Sequence, residues 1–446
     1  MPLPSPAPAP PPHSLGLGSA LGIAVGTTVG AGVFAFTGVA AREAGSRLPM
    51  AYLLAVVPVL CSLAPVAMLA AALPTAGGNY KYPSRLWSPR LALLAIWVYA
   101  MGAFFGFFPL YALVMVDYLQ YYFPTLPVAP SAAAILTVFY LLNYFGVRLA
   151  ATLEEGLVVV LLIALLTYLG VGLGHLHIEY LRMPSPEGIL GILTGASLLT
   201  FAYMGSNSLI ELGHEIKNPS RTIPLAIGLC LLIVTVLYTG VGLVTVGAAP
   251  WTQGAGQDLA VVSQRFLSPG LQAFFVFGGA LTAVATTLHA SFLWGTKSLQ
   301  VICRDGFLPA GWGADHPRWA TPYRLLTGIY ALSMLGLFLP FSRETLNVFS
   351  TLGGLGIFIP VLITSAILPR RCPNAYARAG FRLKSPWIYL APAVGVALSL
   401  GAMITLLTSM VHYTALIFFG LWTMMGVVWV VGATRRVHLA PEPGWE

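Results

Sequence analysis

Gly26-Thr27-Thr28-Val29-Gly30-Ala31-Gly32-Val33-Phe34 lies inside the first long apolar run of the chain, residues 15–41. A helix needs about 20 apolar residues to cross a bilayer, so this run is long enough to span one. Yet three glycines fall within seven positions at its middle, beside two threonines. Glycine is a poor helix former, and clustered glycines let the backbone leave the helix and expose its N–H and C=O groups. In hydrocarbon such groups are tolerated only where they line a protein-enclosed or watery cavity. The stretch therefore reads as a spanning helix interrupted at mid-depth, with bare backbone able to hold a polar ligand. The competing reading is a close helix–helix contact through small residues.

The rest of the chain fits a membrane setting. Of 446 residues 57% are hydrophobic and 8% charged, and mean hydropathy is +0.83. A soluble protein carries about 25% charged residues. The net charge of +8 sits in short loops between apolar runs, which argues against a nucleic-acid partner. Cys61, Cys230, Cys303 and Cys372 are scattered, with no CxxC pair, which argues against a disulfide framework or zinc site. Residues 1–14 are Pro-rich and read as a disordered cytoplasmic tail.

Apolar runs of spanning length fall at about twelve places, without strand-like alternation, so the fold expected is an all-α membrane protein. Sixteen of the 22 lysines and arginines fall in alternate loops on one side, five on the other, and Lys297 remains within a span. That bias places both termini in the cytoplasm of a multi-pass protein of the cytoplasmic membrane.

The sixth span carries a second interruption, Gly205-Ser206-Asn207-Ser208. Ser and Asn compete for backbone hydrogen bonds and favour non-helical turns. Gly30 and Gly205 stand 175 residues apart, close to the length of five spans with their loops. Interruptions at matching positions of two five-helix halves point to an inverted-repeat transporter with its substrate site at the repeat interface. The halves are residues 15–174 and 189–368, followed by two further helices in 386–433 and a cytoplasmic tail, 434–446.

Three motifs in order then carry a resemblance. Gly30-Ala31-Gly32-Val33-Phe34, the run from Glu211 through Lys217-Asn218-Pro219-Ser220-Arg221-Thr222-Ile223-Pro224, and Cys303-Arg304-Asp305-Gly306-Phe307-Leu308-Pro309 are similar to signatures of the amino acid–polyamine–organocation transporters. The resemblance implies a LeuT-type 5+5 inverted repeat with broken helices 1 and 6, alternating access and amino acid transport. A zwitterion held in a low-dielectric site needs fixed dipoles at both ends. The helix starting near Gly32 offers free N–H groups to a carboxylate. Carbonyls of Thr27 and Thr28, with those of Phe201, Ala202 and Met204, suit an ammonium. Gly30, Ala31, Gly205 and Asn207 complete the expected substrate-binding set. Ala31 stands where the family often has serine, leaving backbone donors alone there, and Phe201 stands where the family places an aromatic lid. Asn207 stands where the family often has glutamate, so a cationic substrate loses one counter-ion.

Glu154, Glu155 and Glu211 fall toward span ends, and Asp117 toward the outer end of the third. The reading is accordingly a neutral or apolar amino acid, with a cationic amino acid or small amine as the alternative. Tyr99, Phe104, Phe105, Phe108, Trp294 and Phe349 are candidate walls. Coupling is left open between Na+ and H+. The fifth span lacks the lysine that proton-coupled relatives carry. Ala283-Val284-Ala285-Thr286-Thr287 resembles the hydroxyl pair that ligates sodium in the wider fold, with Gly26 and Val29 at the matching carbonyl positions. His289, one turn from Thr286, is the other coupling candidate. The alternative for each is a hydrogen bond to its own or a neighbouring helix. No cofactor is expected, and no HxxxH, DxxD or CxxC cluster points to an enzyme. Partners reduce to the substrate, membrane lipid and a monomeric or homodimeric assembly.

Overall fold

The computed structural model describes residues 15–145, 147–409, 413–435, 437, 439 and 445. The expected 1–14 tail and most of the 434–446 tail lie outside them, as do the side chains of Ala31, Glu154 and Glu155. Helices make up the fold, and the described residues hold two isolated bridges but no strand.

The first apolar run is two helices, α1 (Leu17–Thr28) and α2 (Ala31–Ala44), parted at Val29 and Gly30. Gly30 is extended (φ −98°, ψ −156°) and no side chain caps the helix it starts. The chain continues through α3 (Leu48–Ala72), the short α4 (Gly78–Leu86) and α5 (Pro89–Gln120). Then come α6 (Val128–Phe145), α7 (Val147–Leu173), α8 (Gly188–Glu211), α9 (Pro219–Gly247) and α10 (Pro269–Arg304). The last are α11 (Tyr323–Phe338), α12 (Arg343–Arg371), α13 (Trp387–Ser409) and α14 (Tyr413–Thr434). Among the described residues eleven stretches are long and apolar enough to span a membrane. The twelfth expected span, α11, has 16 residues and reaches only about 24 Å at 1.5 Å per residue. Residues facing outward are apolar, such as Val57, Leu232, Val236, Ile417 and Val428, the inverse of a water-facing surface and the mark of a lipid-facing one.

The second interruption differs from a non-helical turn. In α8 the α-helix ends at Thr200 and residues Phe201–Glu211 continue as a 3-10 helix. The two interruptions pack on one another. A Cβ on Gly205 would stand 2.2 Å from the Thr27 carbonyl oxygen, so only glycine admits this approach. Thr27 Oγ1 donates to the Gly205 carbonyl at 3.1 Å.

Around this crossing, α5 and α12 meet backbone to backbone at Gly102 and Gly353, where an added Cβ would lie 2.5 Å from the opposite Cα. Small residues at such crossings let membrane helices approach closely. Both α5 and α10 carry a π-helical turn, Met101–Phe107 and Phe275–Leu281. The α14 helix is tied to α5 by Trp97 and Trp422, which stack at 4.9 Å and each donate Nε1–H to the other's carbonyl.

Candidate functional site

A cavity of about 160 Å³ opens where the two interruptions meet. Thr27, Thr28, Gly30, Gly32, Phe201, Ala202, Met204, Gly205 and Asn207, nine of the ten residues read as substrate-binding, line it together. The tenth, Ala31, begins α2, and its side chain lies outside the described residues. The first N–H groups of a helix have no partner within it, so Ala31, Gly32 and Val33 present donors and a partial positive charge there.

The carbonyls are more engaged than the sequence implied. Tyr238 on α9 donates its hydroxyl to the Thr28 carbonyl at 2.8 Å and approaches that of Ala202 at 3.4 Å. A carbonyl keeps a second lone pair, so Tyr238 orients these two oxygens while leaving each able to accept again. No motif marked Tyr238; it was one tyrosine in an apolar run. Phe201 meets Phe36 edge to face at 6.1 Å.

The walls come from four other helices. Tyr99, Phe107, Phe108 and Tyr111 stand on α5, Ser291 and Trp294 on α10, Ser350, Gly354, Leu355, Ile357 and Phe358 on α12, and Asn79 on α4. Among the described lining residues none is acidic or basic. Of the expected walls, Tyr99, Phe108 and Trp294 line the cavity, whereas Phe105 and Phe349 pack against Phe418 in a separate cluster. Phe104 packs on Tyr99 and Phe108 behind the lining. Aromatic rings pack equally well in either place, and sequence alone does not separate them.

The coupling-ion candidates divide. Thr286 and Thr287 each donate to the Ala283 carbonyl, at 3.0 and 2.8 Å, which spends their protons and leaves oxygen lone pairs. Thr287 Oγ1 abuts the first interruption: a Cβ on Gly30 would lie 2.0 Å from it. Gly26 and Val29 are buried at the end of α1. Oxygen donors from α10 beside the broken α1 are the right chemistry for a hard cation. His289 does not join them; its Nδ1 lies 3.0 Å from Asn143 Nδ2 on α6.

Polar ties run across the side bearing most loop cations. Leu15 N–H donates to the Glu215 carbonyl and Lys217 N–H to the Leu15 carbonyl, both at 2.8 Å, fixing the start of α1 to the segment after α8. Lys297 pairs with Glu215 at 2.7 Å. Arg85 holds Asp305 with two bonds, at 2.7 and 2.8 Å, a half-buried pair. Tyr80 donates to Asp305 at 2.7 Å; burial pushes its hydroxyl above the ordinary tyrosine range and keeps it a donor. The sequence reading missed the Arg85–Asp305 pair. Opposite charges in two loops of the same side were its available signal.

A many-helix membrane protein with two interrupted helices crossing at a central cavity is a multi-pass transporter. The family model described as amino acid permease matches residues 15–432. The chain belongs to the amino acid permease family, within the amino acid–polyamine–organocation superfamily. A vacuolar cationic amino acid transporter of Arabidopsis thaliana is 30% identical over 79% of this chain, and the match spans 63% of that protein's length. A methylthioribose transporter of Bacillus subtilis is 26% identical over 86% of each chain. A branched-chain amino acid permease of Bacillus subtilis is 23% identical over 91% of this chain and 90% of its own.

Proposed function

We propose that the chain is a secondary active transporter of neutral, apolar amino acids, working by alternating access between two inverted five-helix repeats. It acts without covalent chemistry, as a monomer or homodimer in the cytoplasmic membrane, with both termini inside. The substrate carboxylate meets the N–H groups at the start of α2. The ammonium meets the carbonyls at the end of α1 and along the 3-10 stretch of α8. The side chain extends among Tyr99, Phe107, Tyr111 and Trp294.

The observation that carries the neutral reading is the lining itself, which offers aromatic and aliphatic surface and no charged side chain among the described residues. A cationic side chain desolvated there would lack a carboxylate partner, at a cost of several kcal/mol. Apolar cavities of about 150 Å³ accept a benzene ring, so one of about 160 Å³ suits a branched aliphatic or small aromatic side chain.

Thermal stabilisation of the purified protein by each of the twenty amino acids, by methylthioribose and by putrescine tests this. A ligand binding the folded state raises stability by RT ln(1 + [L]/Kd), about 2.7 kcal/mol at 100 Kd. Leucine, isoleucine, valine or phenylalanine stabilises and arginine does not. Stabilisation by arginine or putrescine alone overturns the neutral reading, and by methylthioribose alone the amino acid reading.

A further inference from the structure

Beneath the substrate cavity sits a carboxyl group that the substrate site does not use. Glu211 closes the 3-10 stretch of α8 and is 1% exposed. Its Oε1 accepts from the Asn79 backbone N–H at 2.9 Å, and both carboxyl oxygens accept from the Ser298 hydroxyl, at 3.1 and 2.9 Å. Its own carbonyl accepts from Gly77 N–H at 3.2 Å. One carboxyl thus ties α8 to α4 and to α10.

The basic groups around it are engaged elsewhere. On α4, Arg85 is held by Asp305, which Tyr80 also reaches, and Lys81 lies 5.9 Å from the Trp445 ring. On α10, Lys297 pairs with Glu215, which follows α8 together with His214. Tyr82 donates to the Leu73 carbonyl, and Tyr99 on α5 packs on Trp294. Among the described residues no lysine, arginine or histidine forms an ion pair with Glu211. Beside it is a small cavity of about 10 Å³ lined by Asn79, Tyr99, Trp294 and Ile357, all of which also line the substrate cavity. That volume is about what one water needs.

A carboxylate buried without a countercharge is expensive, and Glu211 bears that cost at the end of its span, one small cavity away from the substrate cavity. An ionised carboxyl only accepts hydrogen bonds, whereas a protonated one donates once and loses an acceptor position. Asn79 N–H can only donate, so adding a proton changes which of the ties to α4 and α10 can persist. We propose that Glu211 is the proton-binding site that couples substrate movement to proton movement. The step is one proton taken from water on one side, neutralising the carboxylate, and given up to water on the other. The proposal rests on the transporter reading above.

Infrared difference spectra of the purified protein between acid and alkaline pH test proton binding without any substrate. On acidification the wild type gains one protonated-carboxyl C=O component beyond those of the other carboxyl groups; Glu211→Gln lacks that component and Glu211→Asp regains it. An identical band in wild type and Glu211→Gln overturns the proposal. In proteoliposomes with an imposed pH gradient and L-leucine as probe, wild type accumulates leucine. Glu211→Gln loses accumulation entirely while keeping leucine–leucine exchange within about threefold. Retained gradient-driven accumulation in this variant overturns the proposal, including the case in which sodium drives it. If leucine moves in neither protein, the substrate reading fails and the spectra still decide. If Glu211→Gln does not fold, Ser298→Ala carries the test: the pH midpoint of the carboxyl band moves, and an unmoved midpoint is the refuting result.

Discussion

Replacing Gly205 with alanine forces the two interruptions apart. The new Cβ would stand 2.2 Å from the Thr27 carbonyl oxygen, 2.4 Å from its carbon and 2.6 Å from the Thr28 Cα. Ordinary carbon–oxygen contacts lie at about 3.3 Å or more, so the segments must separate by about 1 Å. All three atoms are backbone, and no rotamer change relieves the contact. Overpacking of this kind costs about 1–3 kcal/mol. The separated atoms carry the carbonyls proposed to face the substrate, so the cost falls on substrate binding as well as on folding. If it falls wholly on binding, Kd weakens by about 5- to 150-fold. The assay is the substrate-induced rise in unfolding temperature against concentration, with uptake measured in parallel. Gly228→Ala on α9 is the control, since its added Cβ meets nothing within 4 Å, and it leaves both readouts unchanged. Gly205→Ala with Kd and uptake within twofold of wild type would refute the reasoning, because the crossing would then tolerate separation without loss.

Two further predictions concern the ends of the site. Asp305→Asn removes the countercharge of Arg85 in a half-buried pair, at a cost between the roughly 1 kcal/mol of an exposed pair and the roughly 3–5 kcal/mol of a fully buried one; a fall in unfolding temperature follows, and an unchanged one would show that the pair contributes nothing. If sodium strengthens substrate binding, Thr287→Ala abolishes that enhancement and Thr287→Ser retains it; sodium dependence surviving in Thr287→Ala removes this hydroxyl from the ion site.

The helical membrane fold was legible because the signals were local: long apolar runs, and glycines too close together to sustain a helix. The first interruption falls at Val29 and Gly30, within the quoted stretch. The second was legible as a position but not as a form. Gly205-Ser206-Asn207 weakens an α-helix, yet whether the backbone opens or tightens into 3-10 winding depends on the packing of Gly205 against Thr27, which links residues 178 apart. The same limit applies to the walls. Ser350 and Gly354 reach the cavity because Gly102 and Gly353 let α5 and α12 touch, a pairing of two distant small residues with no local trace. His289 lies one turn from Thr286, but its ring meets Asn143 on α6, a partner 146 residues away that leaves no local trace.

The winding of α8 also sets a length. Eleven residues at the 3-10 rise of about 2.0 Å cover about 22 Å, against about 16 Å for the same residues at the α-helical 1.5 Å. Glu211 is thereby carried about one α-helical turn further from Thr200 than α winding would take it. That extra reach is what sets its carboxyl level with the start of α4 and with Ser298, below the floor formed by Tyr99 and Trp294. Such a segment lengthens a span while most of its backbone groups stay hydrogen-bonded, which an unwound loop of equal reach does not.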